Sequence, residues 1–192
     1  FLMKIYFCYP ESEPDALIEQ TEFREQRTVA GLSPIDFELE CTDLLNVVDD
    51  RISVTPLDVA GPKPSIQLKF PMVTFWTYDP DIWIYQYDHP MTSLNNNFVT
   101  IGAWWNLSKW VRNINTAVVP VDVNYPISIK KGDPLYRVSF YHKDMKGDII
   151  LEQMSEDQIP QDMRKRREEQ DTIIENKPSE LPNKLFTPYD HC

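Results

Sequence analysis

Sixteen prolines against five glycines, spread through 192 residues, set the first limit on what this chain can form. Proline fixes φ and has no N–H to give, so it interrupts helices and central strands alike. The prolines here punctuate short extended segments. Within those segments apolar residues alternate with polar ones, the period of a strand with one buried face.

Residues 4–9 alternate and predict a strand closed by Pro10. In 35–41, Phe37 and Leu39 alternate with Asp36, Glu38 and Glu40, a half-buried strand. Further strands are predicted over 51–54, 66–70, 73–78, 82–87, 98–105, 118–123, 127–129 and 135–141. Asp79-Pro80-Asp81 reads as the turn of a hairpin joining 73–78 to 82–87. "SLNNN" (93–97) is a second turn cluster, and residues 130–134, with Gly132, predict a tight turn between the last two strands. Residues 13–27 are the early helix candidate, with Pro14 in its first turn and Leu17, Ile18 and Phe23 as a partial stripe; a solvated acidic loop is the alternative. Residues 44–48 fit a short helical turn. Short strands at roughly ten-residue spacing predict a mainly β fold, an antiparallel β-sandwich or jelly-roll-like domain over 1–154. Residues 155–192 follow as a charged helix, with Pro160 in its first turn, and an extended arm holding prolines 178, 182 and 188.

The net charge is −11. Residues 1–60 carry 13 acidic and 4 basic residues, whereas 61–154 carry 8 and 9. No basic footprint is present for a nucleic-acid duplex, and the acidic third repels anionic membranes, so neither partner is expected. No apolar run reaches the roughly 18 residues of a membrane helix. The apolar start lacks the charged region and cleavage site of a signal peptide. Cys8, Cys41 and Cys192 show no C-x-x-C spacing, which argues against a disulfide framework or a cysteine zinc site and fits a reducing cytoplasm.

His142-Lys143-Asp144 has the His-x-Asp spacing of non-haem iron oxygenases, whose facial triad needs a second histidine. His191 is the candidate, giving an iron(II) and 2-oxoglutarate site of His142, Asp144 and His191. No strand follows His191 to carry the arginine that such a family implies, and His89 lies upstream, before Pro90. The expectation is the polar end of a strand, with no cofactor and with iron as the alternative. "KKGDPL" (130–135) resembles the Gly-Asp turn that precedes a strand in dUTPase-like folds. The Gly-rich aspartate motif and the Ser-containing phosphate motif of those enzymes do not accompany it. "RKRR" (164–167) is followed by Glu168, Glu169 and Asp171, the spacing of helical salt bridges on a solvated face. Serine-nucleophile, P-loop and zinc-protease signatures are missing.

Aromatic residues are the densest feature. In a 73–87 hairpin they would occupy both faces, more than one core can bury. Trp76, Tyr78, Trp83, Tyr85, Trp104 and Trp110 are therefore expected at a protein interface. A sugar-stacking platform of Trp76, Trp83 and Trp104 is the lesser alternative. The stretch "LKFPMVTFWTYDPDIWIYQYDHP", with "ISIKKGDPLYRVSFY" after it and "CTDLLNVVDDRISV" ahead of it, resembles a family of uncharacterised proteins of tailed phages of marine bacteria. That resemblance implies a β-sandwich and a phage origin, in the host cytoplasm or the virion, and it transfers no catalytic residue. The sequence thus predicts a non-enzymatic protein acting through protein contacts, as a virion accessory or oligomeric scaffold, in a homo-oligomer or with virion components. A jelly-roll iron oxygenase is the alternative.

Overall fold

The computed structural model describes residues 2–9, 18–20, 28–55, 64–70, 72–111, 113–114, 116–144 and 148–176. Its strands are β1 (Leu2–Cys8), β2 (Ile18–Gln20), β3 (Thr28–Leu32), β4 (Phe37–Leu39), β5 (Ile52–Thr55), β6 (Ser65–Leu68) and β7 (Thr74–Trp76). They continue as β8 (Ile82–Tyr87), β9 (Phe98–Thr100), β10 (Ala103–Asn106), β11 (Thr116–Pro120), β12 (Ile127–Ile129), β13 (Pro134–His142) and β14 (Asp148–Gln153). Among the described residues two helices, α1 (Pro90–Asn95) and α2 (Gln161–Asn176), and 3-10 turns at Leu44–Asn46 and Glu156–Gln158 are added. The protein is mainly β, as its alternation requires. None of the helices among the described residues is long and apolar enough to cross a membrane.

Two large sheets face each other. One has the order β10-β8-β13-β3-β2 and the other β5-β6-β11-β9; smaller sheets β14-β1-β7 and β12-β4 flank them. Pairing is antiparallel throughout, apart from the parallel pair β1–β14. Ile82, Ile84, Val138 and Phe140 of the five-stranded sheet meet Ile66, Leu68 and Val118 of the four-stranded one in a single core. Ile5, Phe7 and Phe75 of the three-stranded sheet join that core, and Phe75 packs edge-on against Phe140 at 5.3 Å between centroids. Gln86 Nε2 donates to Thr116 Oγ1 at 3.3 Å across the interior. The inner faces of the two large sheets therefore touch, and their outer faces point apart.

A second buried cluster lies on the far side of the three-stranded sheet, where Cys8, Trp76 and Val111 pack with Ile159 and Met163. The start of α2 thus covers a sheet face that would otherwise be wet. Arg166 Nη1 donates to Ser108 O at 2.8 Å, and Gln170 Oε1 accepts from Val111 N at 2.9 Å, which fixes the helix against the 107–111 turn.

Several sequence expectations change here. Strands β7 and β8 do not form a hairpin: β7 pairs with β1, while β8 pairs with β10 and β13. The Asp79-Pro80-Asp81 turn instead passes the chain from one sheet to another. Likewise β12 and β13 do not pair with each other; β12 joins β4, and β13 runs between β8 and β3. The turn between them still uses glycine as expected, for Gly132 has φ +88°. The predicted strand 98–105 is split at Ile101-Gly102, with β9 in one large sheet and β10 in the other. The "SLNNN" cluster forms the end of α1, because Pro90 opens a helical turn capped by His89 Nδ1, which accepts from Met91 N at 3.2 Å. Of the predicted helix 13–27, residues 18–20 are strand and the rest lies outside the described residues. The terminal arm, 177–192, also lies outside them.

Candidate functional site

The period-2 pattern of β8 buries Ile82, Ile84 and Gln86 and turns Trp83, Tyr85 and Tyr87 outward, half-buried. Residues directly opposite in an antiparallel pair share a face. Register therefore brings Trp104 beside Tyr85 from β10, and Arg137, Ser139 and Tyr141 beside Tyr87, Tyr85 and Trp83 from β13. The outer face of the five-stranded sheet is thus an aromatic row with one cation.

The rings engage one another. Tyr85 stacks on Trp104 at 4.5 Å between centroids and 18° between planes, and on Tyr87 at 5.1 Å and 16°. Trp104 continues to Tyr141 at 5.0 Å and 37°. Such pairs add about 0.5–1.5 kcal/mol each beyond burial. Their faces are largely used within the row, so a flat sugar-stacking platform is not formed. Tyr87 ends the row, and its hydroxyl lies 3.0 Å from Ser139 Oγ, which in turn is 2.9 Å from Thr28 Oγ1.

Arg137 stands directly opposite Tyr87 and behaves differently from its neighbours. Its Nε is buried without a hydrogen-bond partner, and no ion pair involves it among the described residues. Leaving a buried donor unmade costs about 1–3 kcal/mol, and more for a charged group. A native structure that carries such a group calls for a reason, and a missing ligand is one. β13 is held in place under it by a close approach: the Tyr136 ring lies over Gly31, where a Cβ would come within 2.1 Å of Cζ.

His142, at the end of β13, lies elsewhere. Its Nε2 is 3.5 Å from Asp79 Oδ2, and it shares a cluster with Asp79 and Asp81 whose possible ligand atoms lie within 4.8 Å of one another. Asp144 contributes only its backbone N–H, donated to His142 Nδ1 at 3.1 Å. A neutral ring whose Nδ1 accepts that bond carries its proton on Nε2, so the nitrogen facing Asp79 is a donor and not a metal ligand. Of the expected triad, Asp144 does not join the cluster around His142, whose carboxylates are Asp79 and Asp81, and His191 lies outside the described residues. The cluster reads as a polar lock that ties the 79–81 turn to β13.

The residues expected at an interface are dispersed. Trp76 is fully buried under α2, not exposed. Tyr78 is 53% exposed beside Tyr6, with edge-on rings 6.3 Å apart. Trp83, Tyr85 and Trp104 share the aromatic face, while Trp110 sits half-buried against the main core. Trp76, Trp83 and Trp104 thus occupy two different sheets. Arg137 escaped the sequence reading because its isolation depends on register; the available signal was a lone arginine alternating with Ser139 and Tyr141.

No protein-family model and no curated protein matches the sequence. Among solved structures the chain is similar to the EIAV dUTPase, at 8% identity and a TM-score of 0.46, covering 74% of this chain and 92% of that one. It is similar also to a mutant dUTPase from phage phi11 of S. aureus, described with a structural Mg(II) ion, at 9% identity and a TM-score of 0.47, covering 72% and 90%. A mutant dUTPase of Staphylococcus bacteriophage 80alpha gives 8% and 0.47, covering 72% and 89%. The expectation of a non-enzymatic virion accessory or oligomeric scaffold is corrected at this point, since the solved structures the chain is similar to are named as dUTPases. At this identity they assign no residue a role.

Proposed function

We propose that the protein is an enzyme acting on a nucleotide-class substrate, a ring bearing an anionic group, held on the outer face of the five-stranded sheet. The observation that carries this reading is Arg137, whose buried Nε has no hydrogen-bond partner among the described residues, beside a row of stacked rings. Guanidinium matches phosphate and carboxylate oxygens with paired donors, and such charge-assisted bonds are the stronger kind. With five glycines in the chain, backbone phosphate cradles are scarce, so a side chain must supply the anion contact. The ring of the ligand meets the row at its Tyr87 end, beside Arg137, since Tyr85 and Trp104 stack within the row. The Ser139 and Tyr87 hydroxyls lie beside that position to meet polar groups of the ligand.

Titration with dUTP, other nucleoside triphosphates and inorganic pyrophosphate, read by tryptophan fluorescence from Trp104 and Trp83 and by phosphate or pyrophosphate release, tests it. Arg137→Gln is expected to weaken binding by about tenfold or more, from the loss of a charged hydrogen bond of about 1.5–3 kcal/mol. Nucleotide binding that is equal in Arg137→Gln, or no response to any nucleotide, would overturn the reading.

A further inference from the structure

Between β4 and β5 the chain makes a turn that is anchored on one side and bare on the other. Asn46 N donates to Asp43 O at 3.1 Å and Val47 N to Leu44 O at 3.3 Å, and Asn46 Nδ2 adds a bond to Asp43 Oδ1 at 2.7 Å. Ile52 N, donating to Asp49 O at 3.2 Å, closes the far end. Leu44 is buried in the main core and Val47 packs against it. Their neighbours stand clear: Leu45 is 66% exposed and Val48 100%. Residues 28–55 hold six acidic residues, Asp36, Glu38, Glu40, Asp43, Asp49 and Asp50, against Arg51 alone. Arg51 is committed to Asp49, through Nε at 3.0 Å and Nη2 at 2.7 Å, and lies over the Phe37 ring. Glu38, Glu40, Asp43 and Asp50 are exposed, and none of them has an ion pair among the described residues.

We propose that this turn docks another protein, through a segment whose apolar stripe is bordered by lysines or arginines. Leu45 and Val48 add nothing to the core, which Leu44 and Val47 already anchor, and covering them with apolar surface is favourable. A turn closed by its own hydrogen bonds loses little freedom when it is covered, so that gain is not offset by ordering. Charge selects the occupant. Asp43 and Asp50 flank the exposed pair in the chain and Glu40 precedes them, so a neutral or acidic cover would take water from carboxylates without replacing it. A basic border pairs them at the rim instead. The same carboxylates repel nucleic acid and anionic membrane. The densest basic run of this chain, residues 164–167, is already in use: Arg164 on Ile159 O, Lys165 on Glu169, Arg166 on Ser108 O and Arg167 on Glu156. That favours a different protein over a second copy. The turn and Arg137 stand on separate elements, so this docking is independent of the nucleotide reading.

The probe is a fluorescent amphipathic helical peptide with leucines on one face and lysines beside them, titrated with the full chain and read by anisotropy. The expected result is saturable binding that weakens about tenfold or more between about 50 and about 500 mM salt. Leu45→Ser with Val48→Ser should weaken it by about tenfold or more. Asp43→Asn with Asp50→Asn should flatten the salt dependence, and asparagine at 43 keeps an oxygen for Asn46 Nδ2. Circular dichroism checks that each variant is folded, and Arg137→Gln should bind the peptide as the wild type does. A peptide with the leucines scattered should bind about tenfold more weakly, and one with glutamates for lysines should not bind. The proposal is overturned by the lack of saturable binding, or by equal binding of the folded Leu45→Ser, Val48→Ser protein. It is overturned equally if phosphatidylcholine vesicles, and not the peptide, capture the wild type and fail to capture that variant.

Discussion

The two outer faces of this sandwich grow from one rule and end with opposite chemistry. On both, alternation sends every second residue outward over the shared core. The five-stranded sheet spends its outward positions on rings that satisfy one another and on one arginine left unsatisfied. The four-stranded sheet spends them on Val, Ala, Ser, Thr and Gln67, small and uncharged side chains except where Lys69 follows Gln67. The unmade hydrogen bond of the Arg137 Nε is what sets the two faces apart.

The largest effect expected is common to both faces. Phe140→Ala, fully buried beneath the aromatic row, should cost about 3–5 kcal/mol, and Leu68→Ala, on the inner face of the four-stranded sheet, about 2–5 kcal/mol. Urea unfolding of the two variants measures this; if either costs under about 1 kcal/mol, that face does not rest on the common core.

A pair of arginines sharpens the contrast next. Arg164 gives its Nε to Ile159 O at 2.9 Å and its Nη2 to Glu156 O at 2.9 Å, so Arg164→Met should lower stability by about 1–3 kcal/mol. Among the described residues Arg137 makes no such bonds, so Arg137→Met should leave thermal stability unchanged or raise it while nucleotide binding is lost. A destabilised Arg137→Met would show the guanidinium to be structural.

The third expectation concerns pH. Burial pushes the Cys8 thiol up to about 11 from 9.0, and burial also raises the Tyr136 phenol. Both groups are harder to ionise folded than unfolded, so their contribution is complete below the unfolded values and is lost as pH rises through the folded ones. Stability followed by chemical denaturation should fall between about pH 9 and 11, and Cys8 should resist thiol reagents at pH 8 until the chain unfolds. Fast native labelling would place Cys8 outside the α2-covered cluster. The smallest effect belongs to Asp49, whose carboxyl the Arg51 guanidinium holds down at about 2. That contribution is present above the unfolded value of 3.8 and disappears as pH falls through about 2, and Asp49→Asn should slightly flatten the acid limb of the stability curve.

Much of this architecture was legible residue by residue. Alternation is a local property, and it located Ile82–Tyr87 as a strand and told which of its side chains share a face. The Gly132 turn was equally readable, since a φ of +88° is a demand made at one residue. Pairing was not readable, because it is settled by which strands together bury the most apolar surface. Asp79-Pro80-Asp81 has the composition of a hairpin turn whether β7 and β8 pair or, as here, part to join different sheets. His142 illustrates the same limit: its spacing to Asp144 suggested a shared site, yet the carboxylates facing it, Asp79 and Asp81, arrive from the turn before β8. The sequence by itself determined that the chain is a β protein of short, one-sided strands with a charged helix after them. Only the tertiary structure decided that Trp76 is buried under that helix and that the Arg137 Nε is buried with no hydrogen bond among the described residues. Both outcomes depend on neighbours distant in sequence, which burial and register bring together and local pattern does not encode.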